Sequence, residues 1–298
     1  MSPKKVASIP IKATRIILYS SELAAFIGKN PHMYSSKIFN RLFQKYFPTK
    51  DVLAVPFQTD SQTIDLISEK TSNKNFRFQL DEIIKNNNSS FLVKSQKDSL
   101  VNQIIQSNNL SQEDQQLLVK IADSYTNKKF GEISEKTAIE VYEERTGEEV
   151  VKKIDSRVKK ILEYNGIELW VKSKIDAMKY DGTIVEVKNR IYKLFEEVRE
   201  YEWLQVQVYM EVYNLERGQL VEYLRGTGEM RVTELQRDRK YWEEIVVKQL
   251  GNYFRTMINL VGDSVKRKKY LSLTETEQNE MIKKMIRKEE KTNQDLIK

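Results

Sequence analysis

The sequence predicts an α/β protein: a central mixed β-sheet flanked by helices, with a helical insertion early in the chain. Three observations carry that expectation. Between residues 149 and 189, short segments alternate apolar and polar residues and are punctuated by Asn165-Gly166 and Asp181-Gly182, dipeptides that favour tight turns. On either side, apolar residues recur at helical spacing between recognisable start and stop signals. Finally, 40% of the 298 residues are hydrophobic, enough to bury a sizeable core.

Taken in order, Ser20-Ser-Glu-Leu-Ala-Ala-Phe-Ile-Gly28 reads as a helix with a serine cap and a glycine stop. A second helix is expected over 35–46, ended by Pro48. Residues 51–125 are polar, with helical pieces near 60–70, 77–86, 97–107 and 111–125, separated by clusters such as Asn86-Asn87-Asn88-Ser89-Ser90. Ser134 then opens a helix ending near Gly147, on which Glu135, Ala138 and Tyr142 share a face. Strands follow at about 149–154, 157–164, 167–178 and 183–189. The remainder reads as a helix at 194–214, a strand at 219–225, a helix at 237–261 and a basic helical tail at 274–291. The domain reading is an N-terminal helical part over 1–50, an insertion over 51–128, a core over 129–262 and a tail over 263–298.

Composition prunes the chemistry. With no cysteine there is no thiolate zinc site and no thiol nucleophile, and one histidine, His32, excludes multi-histidine metal centres. His32 lies in the turn-like stretch Lys29-Asn30-Pro31-His32-Met33 and reads as a surface residue. Any metal is therefore expected to be hard and oxygen-bound. The net charge of +7 is uneven: residues 1–50 hold nine Lys/Arg and one acid, 51–263 hold 31 against 36, and 264–298 hold ten against six. Basic ends around a mildly acidic body suit either a polyanion-binding protein with its acids at a cation site or a solvated Lys- and Asn-rich surface. No apolar run approaches the ~20 residues that span a bilayer, and Met-Ser-Pro-Lys-Lys has no apolar signal region, so the protein is expected to be soluble and intracellular.

The stretch that carries chemistry runs from Glu168 to Lys188. On a strand alternate side chains share a face, so Lys172, Lys174 and Asp176 point one way and Val171 and Ile175 the other. In the next strand Glu186 and Lys188 share a face, opposite Val185 and Val187. With a three-residue loop Tyr180-Asp181-Gly182 and Gly182 left-handed, Lys179 faces Thr183 and Asp176 faces Glu186. Two carboxylates and an ammonium then meet on one polar patch of a hairpin whose other side is core. Carboxylates so placed repel unless a cation or proton lies between them, which a Mg²⁺ site supplies. Lys188 beside that metal would position or deprotonate a water and stabilise the charge of a phosphoryl transition state. The bland alternative is a charged hairpin with solvent-facing ion pairs.

With these residues in place the chain resembles the PD-(D/E)xK nuclease superfamily, and within it the lambda-type (YqaJ-like) viral recombination exonucleases. Ile175 stands where the family usually has proline. Upstream, Gly131-Glu-Ile-Ser-Glu135-Lys-Thr-Ala138-Ile-Glu-Val-Tyr142-Glu-Glu-Arg-Thr-Gly147 resembles the branch's helix with an acid, a small residue, an aromatic and a closing Thr-Gly. Downstream, Trp203-Leu-Gln205-Val-Gln207-Val-Tyr209-Met210 is similar to its Gln-x-Gln-x-x-Met helix and also fits Gln-x-x-x-Tyr. Gln236-Arg237-Asp238 with Tyr253-Phe254 resembles the closing helix, and Ser20-Ser21-Glu22 through Gly28 resembles its Ser-x-x-Ala-x-x-x-Gly segment. The resemblance covers roughly 15–46 and 130–260, in family order; residues 51–125 match nothing in it.

That resemblance implies a restriction-endonuclease-like core and a Mg²⁺-dependent deoxyribonuclease, with Mn²⁺ as substitute and one or two ions bound. It implies 5′→3′ degradation of double-stranded DNA ends, leaving 3′ single strands for recombination or repair. Asp176 and Glu186 would hold the metal with the Val187 carbonyl, Lys188 would orient the water, and Gln205 would hold that water or Lys188 beside Tyr209. Glu135 would complete the shell or bind a second metal, against the reading of an acid favoured by the helix dipole and with Glu132 as rival. Ser21 and Arg15 would form a 5′-phosphate pocket. Lys172 and Lys174 either touch the DNA backbone or form a solvated strand face. Implied partners are DNA ends, a single-strand annealing protein and other copies of the chain in a trimeric ring, with no membrane; a viral protein would work in the cytoplasm or in a host nucleus or viral factory. A restriction-type or junction-resolving endonuclease and a catalytically silent DNA-binding or packaging protein remain alternatives.

Overall fold

The computed structural model describes residues 14–53, 60–71, 73–87, 90–190 and 193–295. Its first strand, β1 (Arg15–Tyr19), alternates in burial, with Ile16 and Leu18 fully inside. It runs directly into α1 (Ser20–Phe26), where Glu22 accepts from the Tyr19 N–H at 3.3 Å. The helix stops at Gly28, whose φ of +75° is left-handed and whose missing side chain makes room for the Tyr253 hydroxyl. α2 (Ser35–Tyr46) follows over the residues expected, and α3 (Lys50–Leu53) closes this part.

The described residues between 60 and 146 form four helices joined by short turns: α4 (Asp60–Lys70), α5 (Phe76–Asn86), α6 (Ser90–Ser107) and α7 (Gln112–Thr146), which runs past the 128 boundary expected for an insertion. The insertion has its own core, in which Ile64, Phe76, Leu80, Ile84, Leu118 and Phe130 are buried together. α7 differs from expectation. Ser134 opens no helix, because α7 begins at the Ser111 cap, whose hydroxyl accepts from the Asp114 N–H, and continues to the left-handed Gly147. Its 35 residues span about 52 Å. The first half packs on the insertion, and Ala138, Ile139 and Tyr142 of the second half pack on the sheet, so one rod joins both cores.

Two mixed sheets stand where one was expected. After β2 (Val150–Val151) come β3 (Arg157–Tyr164) and β4 (Ile167–Ser173), and β4 lies between β3, antiparallel, and β1, parallel. The chain then leaves this sheet, so the strand expected over 167–178 is two. β5 (Ala177–Lys179) and β6 (Ile184–Arg190) belong to a second sheet of order β2-β5-β6-β7-β8, with β7 (Arg217–Leu224) parallel to β6 and β8 (Glu229–Gln236) antiparallel to β7. β1 and β8 are additional to the strands expected from the sequence. β8 is an edge strand, half-buried along most of its length, so its pattern lacks clean alternation.

The β6–β7 crossover is α8 (Glu200–Tyr213), which begins six residues later than expected, after a non-helical stretch over 193–199. It seats closely on β7, because a side chain at Gly218 would meet Val206 at 2.6 Å. Ile184 and Leu220 face α8 and the main core, while Val185, Val187 and Val221 face α7. The expected helix over 237–261 is a continuous helical run, α9 (Arg239–Tyr241), a π-wound turn over Trp242–Val247 and α10 (Lys248–Gly262). α11 (Ser264–Leu271) and α12 (Glu275–Asp295) return against α2 and α10. Among the described residues no helix is long and apolar enough to cross a membrane.

The C-terminal helices are pinned to α3 by Arg267, which donates to Asp51 at 2.8 and 3.3 Å, with Thr49 adding a bond at 2.6 Å. Burial alone would raise the Asp51 carboxyl, but Arg267 and Thr49 bring it down to about 2. A depressed carboxyl stabilises the fold fully above its unfolded value near 4 and loses that contribution as pH falls through 2. Asp51→Asn is therefore expected to lower the melting temperature at pH 7, with the gap to wild type closing as a thermal-melt series is taken from pH 4 to pH 2.

Candidate active site

The β5–β6 hairpin is built as its turn residues dictate. The Lys179 N–H donates to the Thr183 carbonyl at 2.8 Å and Gly182 N–H to Lys179 at 3.0 Å, while Asp181 accepts from the Thr183 N–H at 2.9 Å. Gly182 has φ +85°. The register pairs Ala177 with Val185 and Met178 with Ile184, and one step further puts Asp176 opposite Glu186. The strand alternation of β6 then sends Glu186, Lys188 and Arg190 to the α8 side, and Val185 and Val187 to the α7 side.

The polar side of this hairpin is not at the surface. α8 lies over it and presents Glu202, Gln205 and Tyr209, spaced three and four residues apart, to the side chains of β6. Lys188 Nζ donates to Glu186 Oε1 at 2.6 Å and to Gln205 Oε1 at 3.0 Å. Gln205 Nε2 is 2.9 Å from Glu186 Oε1 and 2.5 Å from the Tyr209 hydroxyl. One Asp176 oxygen accepts from the Val187 N–H at 2.9 Å. The second oxygen of Glu186 is buried and has no hydrogen-bond partner.

Burial and the neighbouring Asp176 charge push the Glu186 carboxyl up to about 8, against the pull of Lys188. Burial and the Glu135 charge likewise raise Asp176, opposed by the Val187 N–H and Lys188. Burial works to lower Lys188, yet Glu186 and Asp176 more than offset it and hold its ammonium charged. Tyr209 is raised by burial and by the same two carboxylates. The site is thus short of positive charge around one buried acid, Glu186, and one half-buried acid, Asp176.

An orphaned, buried Glu186 oxygen opposite Asp176, both acids driven upward, fits an oxygen-ligated dication, and the carbonyl of Val187, whose N–H is bonded to Asp176, would supply a third donor. Among the described residues no three acids or histidines converge closely enough to form a metal cluster by themselves. Glu135 acts on Asp176 through its charge, from the half-buried flank of α7. The side chain of its rival Glu132 lies outside the described residues.

The structure gathers Asp176, Glu186, Lys188, Gln205 and Tyr209 and brings the Glu135 charge to bear on them. It does not bring Ser21 and Arg15 together. Ser21 is exposed, and Arg15 stacks on Trp170 at 3.9 Å, at the far end of β1 and about 13 Å of strand from Tyr19. The guanidinium near the start of α1 is that of Arg41, 2.5 Å from Glu22 and 5.3 Å from the Tyr19 ring. The serine that reaches the site is the buried Ser20, which hydrogen-bonds Tyr209. Lys172 is half-buried in β4 and Lys174 is exposed. Sequence reasoning also missed Arg190 and Glu202. Continuing the every-second-residue step from Glu186 and Lys188, and stepping three residues back from Gln205, would have found both.

Arg190 donates twice to Glu202, at 2.8 and 2.7 Å, and once to Glu222 at 2.6 Å. This buried triad continues the polar face of β6 beyond Lys188.

No family model matches this sequence, and no curated protein does. Among solved structures the chain is similar to an alkaline exonuclease, LHK-Exo, from Laribacter hongkongensis, at 14% identity and a TM-score of 0.38 over 59% of this chain and 84% of the other. It is also similar to a phage-related exonuclease from Haemophilus somnus 129PT, at 14% identity and a TM-score of 0.38 over 82% of this chain and 96% of the other. A third likeness, to SSO0001, has 14% identity and a TM-score of 0.36; it covers 46% of this chain and spans 63% of that protein's length. At this level of likeness the function has to be argued from the side chains of the site.

Proposed function

We propose that this chain hydrolyses DNA phosphodiesters with a divalent cation, acting on double-stranded ends in the 5′→3′ direction. The observation that carries the reading is the set Asp176, Glu186, Lys188 and Gln205, in which two raised carboxylates face each other and an ammonium and an amide are bonded to one of them. Asp176, Glu186 and the Val187 carbonyl would hold Mg²⁺ or Mn²⁺, whose role when bound is to neutralise the scissile phosphate and to ease ionisation of a water. Lys188 is held charged by Glu186 and Asp176, so it donates hydrogen bonds and places positive charge where phosphoryl charge builds. Gln205, fixed by both Glu186 and Tyr209, keeps the Lys188 ammonium in one orientation, and its own amide can hold a water. Glu135, whose charge reaches Asp176, would attract a second cation. Assembly into a ring of three copies and cooperation with an annealing protein belong to the same proposal and are read by light scattering and co-purification.

The experiment compares a 5′-labelled linear duplex with a relaxed circle of the same sequence in Mg²⁺, in Mn²⁺ and in EDTA. The linear duplex should be consumed from its 5′ ends, the circle should persist, and EDTA should stop the reaction. Rapid cutting of the circle makes the protein an endonuclease. Salt-sensitive binding with no hydrolysis in either metal leaves a DNA-binding protein.

A further inference from the structure

A cavity of about 790 Å³ opens between the helical insertion and the core, within the ~300–1,000 Å³ range of small-molecule sites. One wall comes from α6 and α7, the other from the end of β6 and the stretch leading into α8. The cavity begins one residue beyond Lys188, at Asn189 and Arg190. Its wall carries five cationic side chains, Lys94, Lys97, Arg190, Lys193 and Arg199, against the single carboxylate of Asp123. Lys97 is spent on Asp98 and Asp123, and Arg190 on Glu202 and Glu222. Lys94 and Lys193 have no carboxylate partner among the described residues and are exposed at the rim. Charge of this sign facing a cavity calls for an anion.

Aromatic surface lies beside that charge. Arg199 stacks 3.4 Å from the centre of the Phe195 ring and donates to the Tyr201 hydroxyl at 3.0 Å, and Tyr201 meets His32 edge-on at 5.6 Å. Cations for a phosphate beside flat rings for a base together describe a nucleotide.

We propose that this cavity binds a nucleotide unit of single-stranded nucleic acid next to the cutting site, so that the insertion serves as a strand-holding wall. This rests on the hydrolytic reading of the Asp176–Lys188 hairpin, since the proposed strand is the one presented to or released from it.

The test is fluorescence anisotropy of the full-length protein with a labelled single-stranded octanucleotide in EDTA, so that binding is read without hydrolysis. Lys94→Glu with Lys193→Glu should weaken the octamer at least about tenfold at fixed salt. The same charge change at two exposed lysines that do not line the cavity, Lys74→Glu with Lys85→Glu, should leave it within about twofold. Equal weakening by both pairs, or none by the first, overturns the inference. A nucleoside 5′-monophosphate that binds as tightly as the octamer and is equally sensitive to the first pair assigns the cavity to free nucleotides and overturns the strand assignment. Hydrolysis is read separately: a wild-type chain that binds through Lys94 and Lys193 but never cuts in Mg²⁺ or Mn²⁺ removes the hydrolytic reading and leaves the cavity standing as a strand site. One that cuts with binding unchanged removes the cavity alone.

Discussion

Replacing Glu186 with glutamine is expected to lower hydrolysis about a thousandfold or more while raising, or at least not lowering, the melting temperature. The two effects have one cause. In the fold Glu186 is 2% exposed, one of its oxygens has no partner, and Asp176 stands across from it. A buried oxygen left unsatisfied costs about 1–3 kcal/mol, more when charged, and a neutral amide of the same shape lowers that cost without opening a cavity. A site shaped for a cation is therefore relieved by removing the charge, whereas a structural ion pair with Lys188 would be broken by it. For activity the same change removes the charged ligand of the dication and the carboxylate charge that holds Lys188, each a contribution of about 10²–10³. Single-turnover cleavage of a 5′-labelled duplex and thermal melts of the two proteins with and without Mn²⁺ check this. Wild type should be stabilised by Mn²⁺ and the variant should not. Activity and stability falling together would make Glu186 a member of a structural pair and count against the metal-site reading.

The parts of the fold that could be read from the sequence are those whose signals are local. The Asp181-Gly182 turn fixes the hairpin register, and register fixes which residues face each other, so the sequence alone sets Asp176 opposite Glu186. The stripe Gln205–Tyr209 follows in the same way from helical spacing. What was lost depends on partners distant in the chain. β1 is five residues whose strand character is settled by pairing with β4, more than 150 residues later. Nothing local says that β4 and β5 part into separate sheets at 174–176, because the apolar alternation continues through them. The length of α7 is not legible because Thr126-Asn127-Lys128-Lys129 and Gly131 break its apolar spacing, and the residues that bury its first half lie elsewhere, on α4, α5 and α6. Ser20 and Ser21 differ by one position, and only the direct passage from β1 into α1 decides which of them turns inward.

Arg190→Met is expected to cost about 3–5 kcal/mol of stability, the largest loss from any single side chain near the site. The guanidinium is 9% exposed and is the cation bonded to both Glu202 and Glu222, which are 2% and 1% exposed; removing it strands two buried acids on adjoining elements, α8 and β7. Burial raises the Glu202 carboxyl, but Arg190 outweighs that and holds it below its ordinary value. A depressed acid stabilises fully above its unfolded value near 4.5 and stops doing so as pH falls through its folded value. The deficit of Arg190→Met should therefore be widest at neutral pH and should narrow below about pH 4.5, a trend read from urea melts at pH 7 and pH 4. Adding Glu202→Gln and Glu222→Gln to the variant should return most of the loss, because the penalty lies in the unpaired charges and not in the shape of the site. If the triple variant stays as unstable as the single one, the guanidinium acts through its stacking on the Phe195 ring at 4.6 Å. In that case the floor of the cavity, and not the ion triad, holds α8 over Glu186 and Lys188.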